Sequence, residues 1–197
     1  MTNMTDIMIL LILIIVVLVF VILLVPLIIN IFKFLTSDQR KKKNSKNISS
    51  SAKIRLINQL RESIEFLSKT KTGAIITIEN KDNLDNLRTD GVKIDASISS
   101  SLIISIFNKN SPLHDGAIII RNGRIIYAAT YYKITKKSID NKYGSRHRAG
   151  LGISEVCDAT TIIVSEETGD VSITKNSLLV PIKLNEFQEK LLFFLND

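Results

Sequence analysis

The chain has 197 residues, no tryptophan, one cysteine and a formal net charge of +7. This length encodes about one ordinary domain, and the single Cys157 excludes an internal disulfide and fits a reducing compartment. Residues 33–71 hold eleven Lys and Arg against three Asp and Glu, so the excess charge is local and the chain is not basic throughout.

The first predicted element is a membrane-spanning helix. No charged side chain occurs from Ile7 to Phe32, and at ~1.5 Å per residue a helix of this length exceeds the ~30 Å hydrocarbon core of a bilayer. A secretory signal peptide is the competing interpretation. However, Asp6 precedes the run in place of a positive segment, and no small-residue cleavage site follows. We therefore predict a retained transmembrane anchor over residues 1–35, which Pro26 kinks or ends.

A basic flexible linker is predicted over residues 36–51, because TSDQRKKKNSKNISSS is polar and aperiodic. Positive flanks of membrane spans stay in the cytoplasm. We therefore expect a single-pass protein of the cell membrane, with its N-terminus outside and its main domain cytoplasmic. The RKKK run also favours anionic lipid headgroups. Nucleic acid is not an expected partner, because no aromatic platform accompanies the basic residues.

Residues 52–197 are predicted to form one domain. The predicted strands are Thr72–Glu79, Ala117–Ile120, Ile125–Ala129, Ala159–Ser165 and the run VSIT that starts at Val171. The predicted helices are a leading amphipathic helix over 52–69, Ser97–Phe107 and a C-terminal segment that starts at Asn185. Because strands and helices mix along the chain, the expected fold class is α/β, with a mixed central β-sheet flanked by helices.

The motif SPLHDGAIII places His114 and Asp115 in a loop directly before a predicted strand. Gly116 lets a ligand approach the backbone, and Ala117 keeps the next position small. An acidic residue beside a glycine at a sheet end suits a metal site or proton transfer. It is equally common as an ordinary turn, so this motif alone does not decide between the two.

The motif GSRHRAGLGISE holds three adjacent basic residues. Residues two apart share a side only in an extended segment. Arg146 and Arg148 are therefore predicted to converge on one ligand from an extended or turning triplet, with His147 pointing elsewhere. A helix that begins near Ala149 would aim free N–H groups at the same place, and arginine suits bidentate phosphate binding. For this motif alone, a solvated basic turn is the favoured interpretation.

A third motif, VSEETGDVSI, crowds acidic residues into a predicted hairpin turn. Ser165 and Glu167 lie two apart at a strand end, where they are able to face a common site and help hold a cation. Acidic residues in turns also serve solubility alone, and that interpretation is the stronger one for this motif in isolation.

In this order, the three motifs resemble the signature set of the diadenylate cyclase (DAC) family. KTGAIITIE and GVKIDASIS resemble its opening strand and following segment, and the similarity covers most of residues 53–180. The single anchor before the domain resembles the one-span form of mycoplasma-type bacteria. The resemblance implies the DAC fold, and an activity that condenses two ATP molecules into cyclic di-AMP and releases two pyrophosphates with the help of a divalent metal.

The resemblance also implies the site residues. The matches to the DGA and RHR motifs are Asp115, Gly116, Ala117, Arg146, His147 and Arg148. Ser145, after Gly144, stands where the family has a Thr or Ser that contacts phosphate, and Ser165 and Glu167 match the phosphate and metal side. The family's LPLS-like stretch is replaced by YYKITKKS, in which Tyr132 is expected to stack on the purine.

Mg²⁺ or Mn²⁺ is the implied cofactor, because it would neutralise the phosphates and the leaving pyrophosphate. Asp115 is the implied general base, metal ligand or both, and His114 is a further candidate ligand for a Mn²⁺-like ion. The product has two equivalent linkages, so two subunits that each hold one ATP must face each other across a two-fold axis. We therefore expect a face-to-face homodimer as the active unit.

Two other functions stay open at this point. One is a catalytically silent nucleotide-binding sensor on the same fold. The sequence argues against it, because both the acidic Asp115 and the basic triplet are intact. The other is a protein whose basic tract binds membrane surfaces or nucleic acid.

Overall fold

The computed structural model describes residues 3–43 and 50–196. These residues form two separate units, one with the N-terminal helix and one with all later elements. Helix α1 runs Met4–Lys43 and continues through Pro26. It includes Ile7–Pro26, which is the one stretch in the described part of the chain long and apolar enough to cross a membrane, with a mean hydropathy of 4.0.

The prediction of a flexible linker is wrong for residues 36–43, which are helical as the last part of α1. Gln, Arg and Lys are good helix formers, and adding residues to an existing helix costs little. The next part of the predicted linker, residues 44–49, lies outside the described residues.

The second unit is built on a mixed central sheet, as predicted, and the sheet has eight strands. Its strands are β1 Ala74–Ile78, β2 Arg88–Thr89, β3 Val92–Ser97, β4 Ala117–Arg121, β5 Arg124–Tyr132, β6 Thr160–Val164, β7 Val171–Lys175 and β8 Leu178–Ile182. The order is β2-β5-β4-β1-β6-β7-β8, and β3 also pairs with β5. Strands β2, β3 and β8 were not predicted. Strand β2 has only two residues, β3 is mostly exposed and so lacks an apolar run, and β8 contains Pro181, which disfavours a strand.

The helices of this unit are α2 Ser50–Lys69, α3 Ser100–Phe107, α4 Ser145–Ser154 and α5 Phe187–Asn196, which follows a short 3₁₀ turn at Leu184–Glu186. Helix α3 begins later than predicted because β3 extends to Ser97. The side chain of Ser99 then accepts the Leu102 N–H and caps the helix.

Two apolar cores lie on opposite faces of the sheet, because alternate strand residues point to opposite sides. In β1, Ile76 joins the larger core, to which α2 contributes Leu60 and α3 contributes Phe107. Its neighbour Ile75 joins the smaller core, to which α4 contributes Ile153. The apolar stripe of α2, which the periodicity predicted, is thus buried within its own domain and not on a partner helix.

The pairing of β1 brings four chain segments to one edge of the sheet. Strand β1 runs parallel to β4, with Ile75 opposite Ala117, and antiparallel to β6, with Ala74 opposite Val164. Strand β5 runs antiparallel to β4, with Ala117 opposite Thr130. The starts of β1 and β4 and the ends of β5 and β6 therefore lie side by side, and every predicted site motif touches this edge or the connection next to it.

Candidate functional site

The loop before β4 presents an exposed carboxylate, Asp115, at this edge. The adjacent His114 is half-buried, with its Nδ1 2.6 Å from the carbonyl oxygen of Ser111. Because a carbonyl only accepts, Nδ1 carries the proton and donates it. The Nε2 atom of the neutral ring therefore keeps a lone pair, as a metal ligand requires.

Gly116 brings this loop into backbone contact with β5. Its φ is +97°, and a Cβ atom there would lie 2.7 Å from the Thr130 carbonyl oxygen and 2.9 Å from the Ala129 carbonyl carbon. Only glycine fits that space and conformation. Ala117 is completely buried in the smaller core, so its role at the site is its small size and its backbone.

Two adjacent tyrosines end β5, and the exposed one is Tyr131, not the Tyr132 that was predicted to line the site. Tyr132 is 7% exposed and packs in the smaller core, so the prediction that its ring stacks on a purine is wrong. Tyr131 is 43% exposed, and its hydroxyl donates to Oδ2 of Asp115 at 3.2 Å. Desolvation and this carboxylate raise the pKa of Tyr131, so the phenol stays protonated and remains a donor.

The basic triplet is helical, which makes the prediction of an extended triplet wrong. Gly144 is the extended N-cap of α4, and the helix begins at Ser145. At about 100° per residue, side chains two apart point in nearly opposite directions. Arg146 and Arg148, both half-buried, therefore do not leave the helix on one side.

Arg146 joins three segments at the sheet edge. Its guanidinium lies over Gly73, just before β1, where a Cβ atom would be 2.6 Å from Cζ. Its Nη1 donates to Oε2 of Glu166, in the turn after β6, at 2.7 Å. The Arg146 side chain is 20% exposed and that of Glu166 is 51% exposed, so the pair is open to solvent and is readily exchanged for another anion.

His147 is 5% exposed, and its ring lies 5.0 Å from that of Tyr143, centroid to centroid. Burial is the largest cause that lowers the pKa of His147, and Arg146 adds to the effect while Asp170 opposes it. The triplet therefore carries two positive charges at neutral pH, both from arginines.

The first turn of α4 offers backbone donors beside Arg146. Its N-cap, Gly144, has no side chain to accept the first N–H groups of the helix. Uncapped N–H groups at a helix start attract anions. Ser145, the first helical residue, is exposed there and is able to add a hydroxyl donor.

The turn after β6 is held in a fixed shape at the same edge. Ser165 Oγ accepts the N–H groups of Glu167 and Thr168, each at 3.3 Å, and the Glu167 side chain is exposed. The hydroxyl of Ser68, at the end of α2, donates to the Gly169 carbonyl at 2.6 Å. Ser165 thus shapes the turn, and the turn presents Glu166 and Glu167.

The lysine-rich connection from β5 to α4 is fastened along α4, from its first turn to its C-cap. The Thr135 N–H donates to the Arg148 carbonyl at 3.0 Å, and the Thr135 hydroxyl donates to Oε1 of Glu155 at 2.6 Å. Gly152 faces the Lys133 carbonyl so closely that no side chain fits between them. This segment and α4 therefore form one wall.

The residues at this edge would suit a metal ion that takes some ligands from the protein and the others from phosphates and water. Among residues 3–43 and 50–196, no group of three or more His, Cys, Asp and Glu side chains is arranged to hold a metal ion. Mg²⁺ is typically held by one or two carboxylates while phosphates and water complete its shell. Asp115 with the free Nε2 of His114 matches that kind of partial site.

Residues 61–179 match the family model described as DAC, DisA bacterial checkpoint controller nucleotide-binding. The chain belongs to the DAC family. A diadenylate cyclase from Mycoplasma pneumoniae is 42% identical over 132 residues, which are 66% of this chain and 65% of that protein. A diadenylate cyclase from Mycoplasma genitalium is 38% identical over 156 residues, 78% of each chain.

The DAC fold is confirmed by a solved relative. The crystal structure of a double cysteine mutant of DacA from Staphylococcus aureus is 39% identical, with a TM-score of 0.71, and the match covers 75% of this chain and 100% of that one. The cyclic di-AMP synthase CdaA of Bacillus subtilis is 44% identical over 126 residues, 64% of this chain and 46% of that protein. The chain thus matches from about half to about four fifths of these curated relatives' lengths.

Sequence reasoning did not identify Gly73, Tyr131 or Glu166 as parts of this DAC site. Gly73 stands in the KTGA motif, directly before a buried strand, and that position is the signal that a close approach occurs there. Glu166 lies between the two residues that were chosen in its turn. Tyr131 carried no signal, because strand alternation alone does not reveal which of two adjacent tyrosines points outward.

We predict that Gly116→Ala destabilises the chain more than Gly123→Ala. Both glycines have positive φ, but a Cβ at Gly123 meets nothing within 4 Å, whereas at Gly116 it meets backbone of β5. The control should lose only the cost of the left-handed conformation, about 1–2 kcal/mol. Thermal unfolding of the full chain in detergent micelles measures the difference. Equal losses in the two variants would show that the contact between Gly116 and β5 is loose.

Proposed function

We propose that this DAC-family chain is a diadenylate cyclase that condenses two ATP molecules into cyclic di-AMP and releases two pyrophosphates. The observation that carries the proposal is the meeting of two groups at one sheet edge. One is the exposed Asp115 carboxylate. The other is Arg146 with the uncapped start of α4. The names of the relatives, diadenylate cyclases of two Mycoplasma species, support the same activity.

In each half-reaction a ribose 3′-hydroxyl oxygen bonds to an α-phosphorus, and the bond from that phosphorus to the bridging oxygen of pyrophosphate breaks. The hydroxyl proton must leave as the new bond forms. Asp115 is exposed and accepts a hydrogen bond from Tyr131, so its carboxylate is free to take the proton or to hold a metal. Reactions of this type depend mainly on positioning and on charge stabilisation.

The triphosphate is assigned to the start of α4. Its N–H groups, the Ser145 hydroxyl and the Arg146 guanidinium are donors suited to phosphate oxygens. Arg146 pairs with Glu166 at 2.7 Å, and a phosphate offers the same guanidinium a stronger bidentate partner. Arg148 leaves α4 on another side and acts on a different phosphate group or on the wall formed with Thr135. Ser165 and Glu167 complete this side of the site.

His114 and Asp115 would hold the divalent metal, Mg²⁺ or Mn²⁺, through Nε2 and a carboxylate oxygen. When bound, the metal supplies positive charge that stabilises the phosphates and the leaving pyrophosphate. The protein contributes the fixed ring orientation of His114, which the hydrogen bond to Ser111 sets.

The active unit is assigned as a face-to-face homodimer, because each 3′-hydroxyl must meet the α-phosphate of the other ATP. The location is assigned as the cell membrane. The apolar stretch Ile7–Pro26 would span the bilayer, and the basic residues that follow would keep the catalytic domain in the cytoplasm.

We expect the full chain in nanodiscs to form cyclic di-AMP from ATP with Mg²⁺ or Mn²⁺, as measured by chromatography. Asp115→Asn should lower kcat at least about 100-fold, since general acid–base catalysis contributes about 10²–10⁴. The matched control is Asp95→Asn, which removes an exposed pair with Arg124 at the other end of the β4–β5 hairpin.

ATP binding without product under both metals would contradict the cyclase and favour the silent sensor. Full activity in Asp115→Asn would remove the proposed role of this carboxylate.

The dimer is tested by dilution. Specific activity should fall steeply as the protein is diluted in detergent through its monomer–dimer transition, because an isolated subunit lacks the second nucleotide. Light scattering of the same samples reports the oligomeric state. A specific activity that stays constant across that transition would rule out the dimer requirement.

Gly73→Ala should weaken nucleotide use without unfolding the protein. The three atoms nearest to the added Cβ all belong to the flexible end of Arg146, so that side chain moves away and the backbone stays. We expect kcat/KM to fall at least about 10-fold, because a hydrogen bond to a charged group contributes about 1.5–3 kcal/mol, which corresponds to roughly 12- to 160-fold. In the double variant with Arg146→Ala the two losses should not add. Additive losses would mean that Gly73 acts independently of Arg146.

A further inference from the structure

We propose that Ala129 is a positioning residue that selects Tyr131, rather than Tyr132, for contact with the catalytic carboxylate. The inference rests on the proposed function, in which Asp115 takes a proton or holds the metal. It assigns a task to a residue whose own side chain has no polar group and that does not touch the reacting atoms.

The first observation is an irregularity in β5. Ala117 of β4 lies opposite Thr130, and Ile119 lies opposite Tyr127. Two steps along β4 therefore correspond to three steps along β5, so this stretch of β5 contains one extra residue, as in a β-bulge. Within this stretch Ala129 has φ of +52°, a left-handed conformation that is rare outside glycine, asparagine and aspartate.

The second observation is the change of side that the extra residue causes. Alternate residues of a regular strand face the same way, so in an unbroken β5 Tyr131 would share a face with Tyr127. In the structure it is Tyr132 that joins Tyr127 in the smaller core, although the two are an odd number of positions apart. The bulge at Ala129 thus exchanges the sides of the sheet that the two tyrosines face, so that Tyr132 is buried and Tyr131 is exposed.

This exchange decides whether Asp115 has a hydrogen-bond donor beside it. With the bulge, the exposed Tyr131 hydroxyl donates to Oδ2 of Asp115 at 3.2 Å. This bond holds one carboxylate oxygen in a fixed direction and leaves the other free for a proton or a metal. Without the bulge, the side chain of residue 131 would turn towards the smaller core, and the carboxylate would lose its donor.

Ala129 also lies against the loop that carries Asp115. A Cβ atom at Gly116 would be 2.9 Å from the Ala129 carbonyl carbon and 2.7 Å from the Thr130 carbonyl oxygen. The loop and the bulge are therefore packed backbone to backbone. A change of conformation at Ala129 moves both the donor, Tyr131, and the support of its acceptor, Asp115.

The test compares Ala129→Val with the conservative Ala129→Gly in the full chain in nanodiscs. Valine strongly disfavours positive φ, and glycine accepts it. Ala96→Val is the matched control, because Ala96 lies in β3 of the same sheet without a positive φ. The first readout is tyrosine nitration mapped by mass spectrometry, which needs no enzymatic activity, and it is normalised to Tyr143.

Wild type, Ala129→Gly and Ala96→Val should be nitrated at Tyr131 at least about 5-fold more than at Tyr132. In Ala129→Val the ratio of Tyr131 nitration to Tyr132 nitration should fall until Tyr131 is no longer preferred. The wild-type ratio already tests the inference if the valine variant does not fold: preferential nitration of Tyr132 would overturn it. A folded Ala129→Val that keeps the wild-type ratio would also overturn it.

The second readout is kinetic. Ala129→Val and Tyr131→Phe should each lower kcat about 10-fold, and the double variant should be no worse than either, because both remove the same contact. Ala129→Gly should keep the wild-type kcat, because glycine accepts the positive φ. Additive losses would overturn the link between the two residues. If the wild-type chain forms no cyclic di-AMP, the proposed function fails, while the nitration ratio still decides whether Ala129 selects Tyr131.

Discussion

The site depends on one constraint of the sheet, which is that β1 is parallel to β4 on one side and antiparallel to β6 on the other. A purely antiparallel arrangement would place the start of β4 at the opposite edge from the start of β1. The mixed pairing instead gathers two strand starts and two strand ends at one edge. Residues far apart in sequence, such as Asp115 before β4 and Glu166 after β6, therefore lie at the same edge of the sheet.

Close backbone approaches at glycines then bring the parts of the site together. Gly73 leaves room for the guanidinium of Arg146, and Gly116 brings the acidic loop against β5. Gly169 lies close against the carbonyl of Ser68 and fixes the acidic turn on α2. Each contact is set by the absence of a side chain, so the polar groups of the site are positioned by backbone rather than by their own flexible side chains.

The sequence predicted the fold class, the helix α2 and both hairpins, because each has strong periodicity and a clear turn. It also indicated the three motifs that the sheet brings together. It did not predict that the basic triplet is helical, because a glycine N-cap leaves no side-chain signal. It chose Tyr132 over Tyr131, since one inserted strand residue reverses alternation and such an insertion is not visible in the pattern AATYY.

The connection between β5 and α4 explains how this chain departs from the usual family stretch there. Its position is set where Lys133 crosses Gly152 and where Thr135 bonds to α4. Lys137 adds to this attachment, because its N–H donates to the Thr135 hydroxyl oxygen at 3.0 Å and its ammonium group pairs with Glu155 at 3.5 Å. Side chains of this segment outside these attachment points are therefore free to change with the surface charge that a given cell tolerates, while the wall formed with α4 keeps its shape.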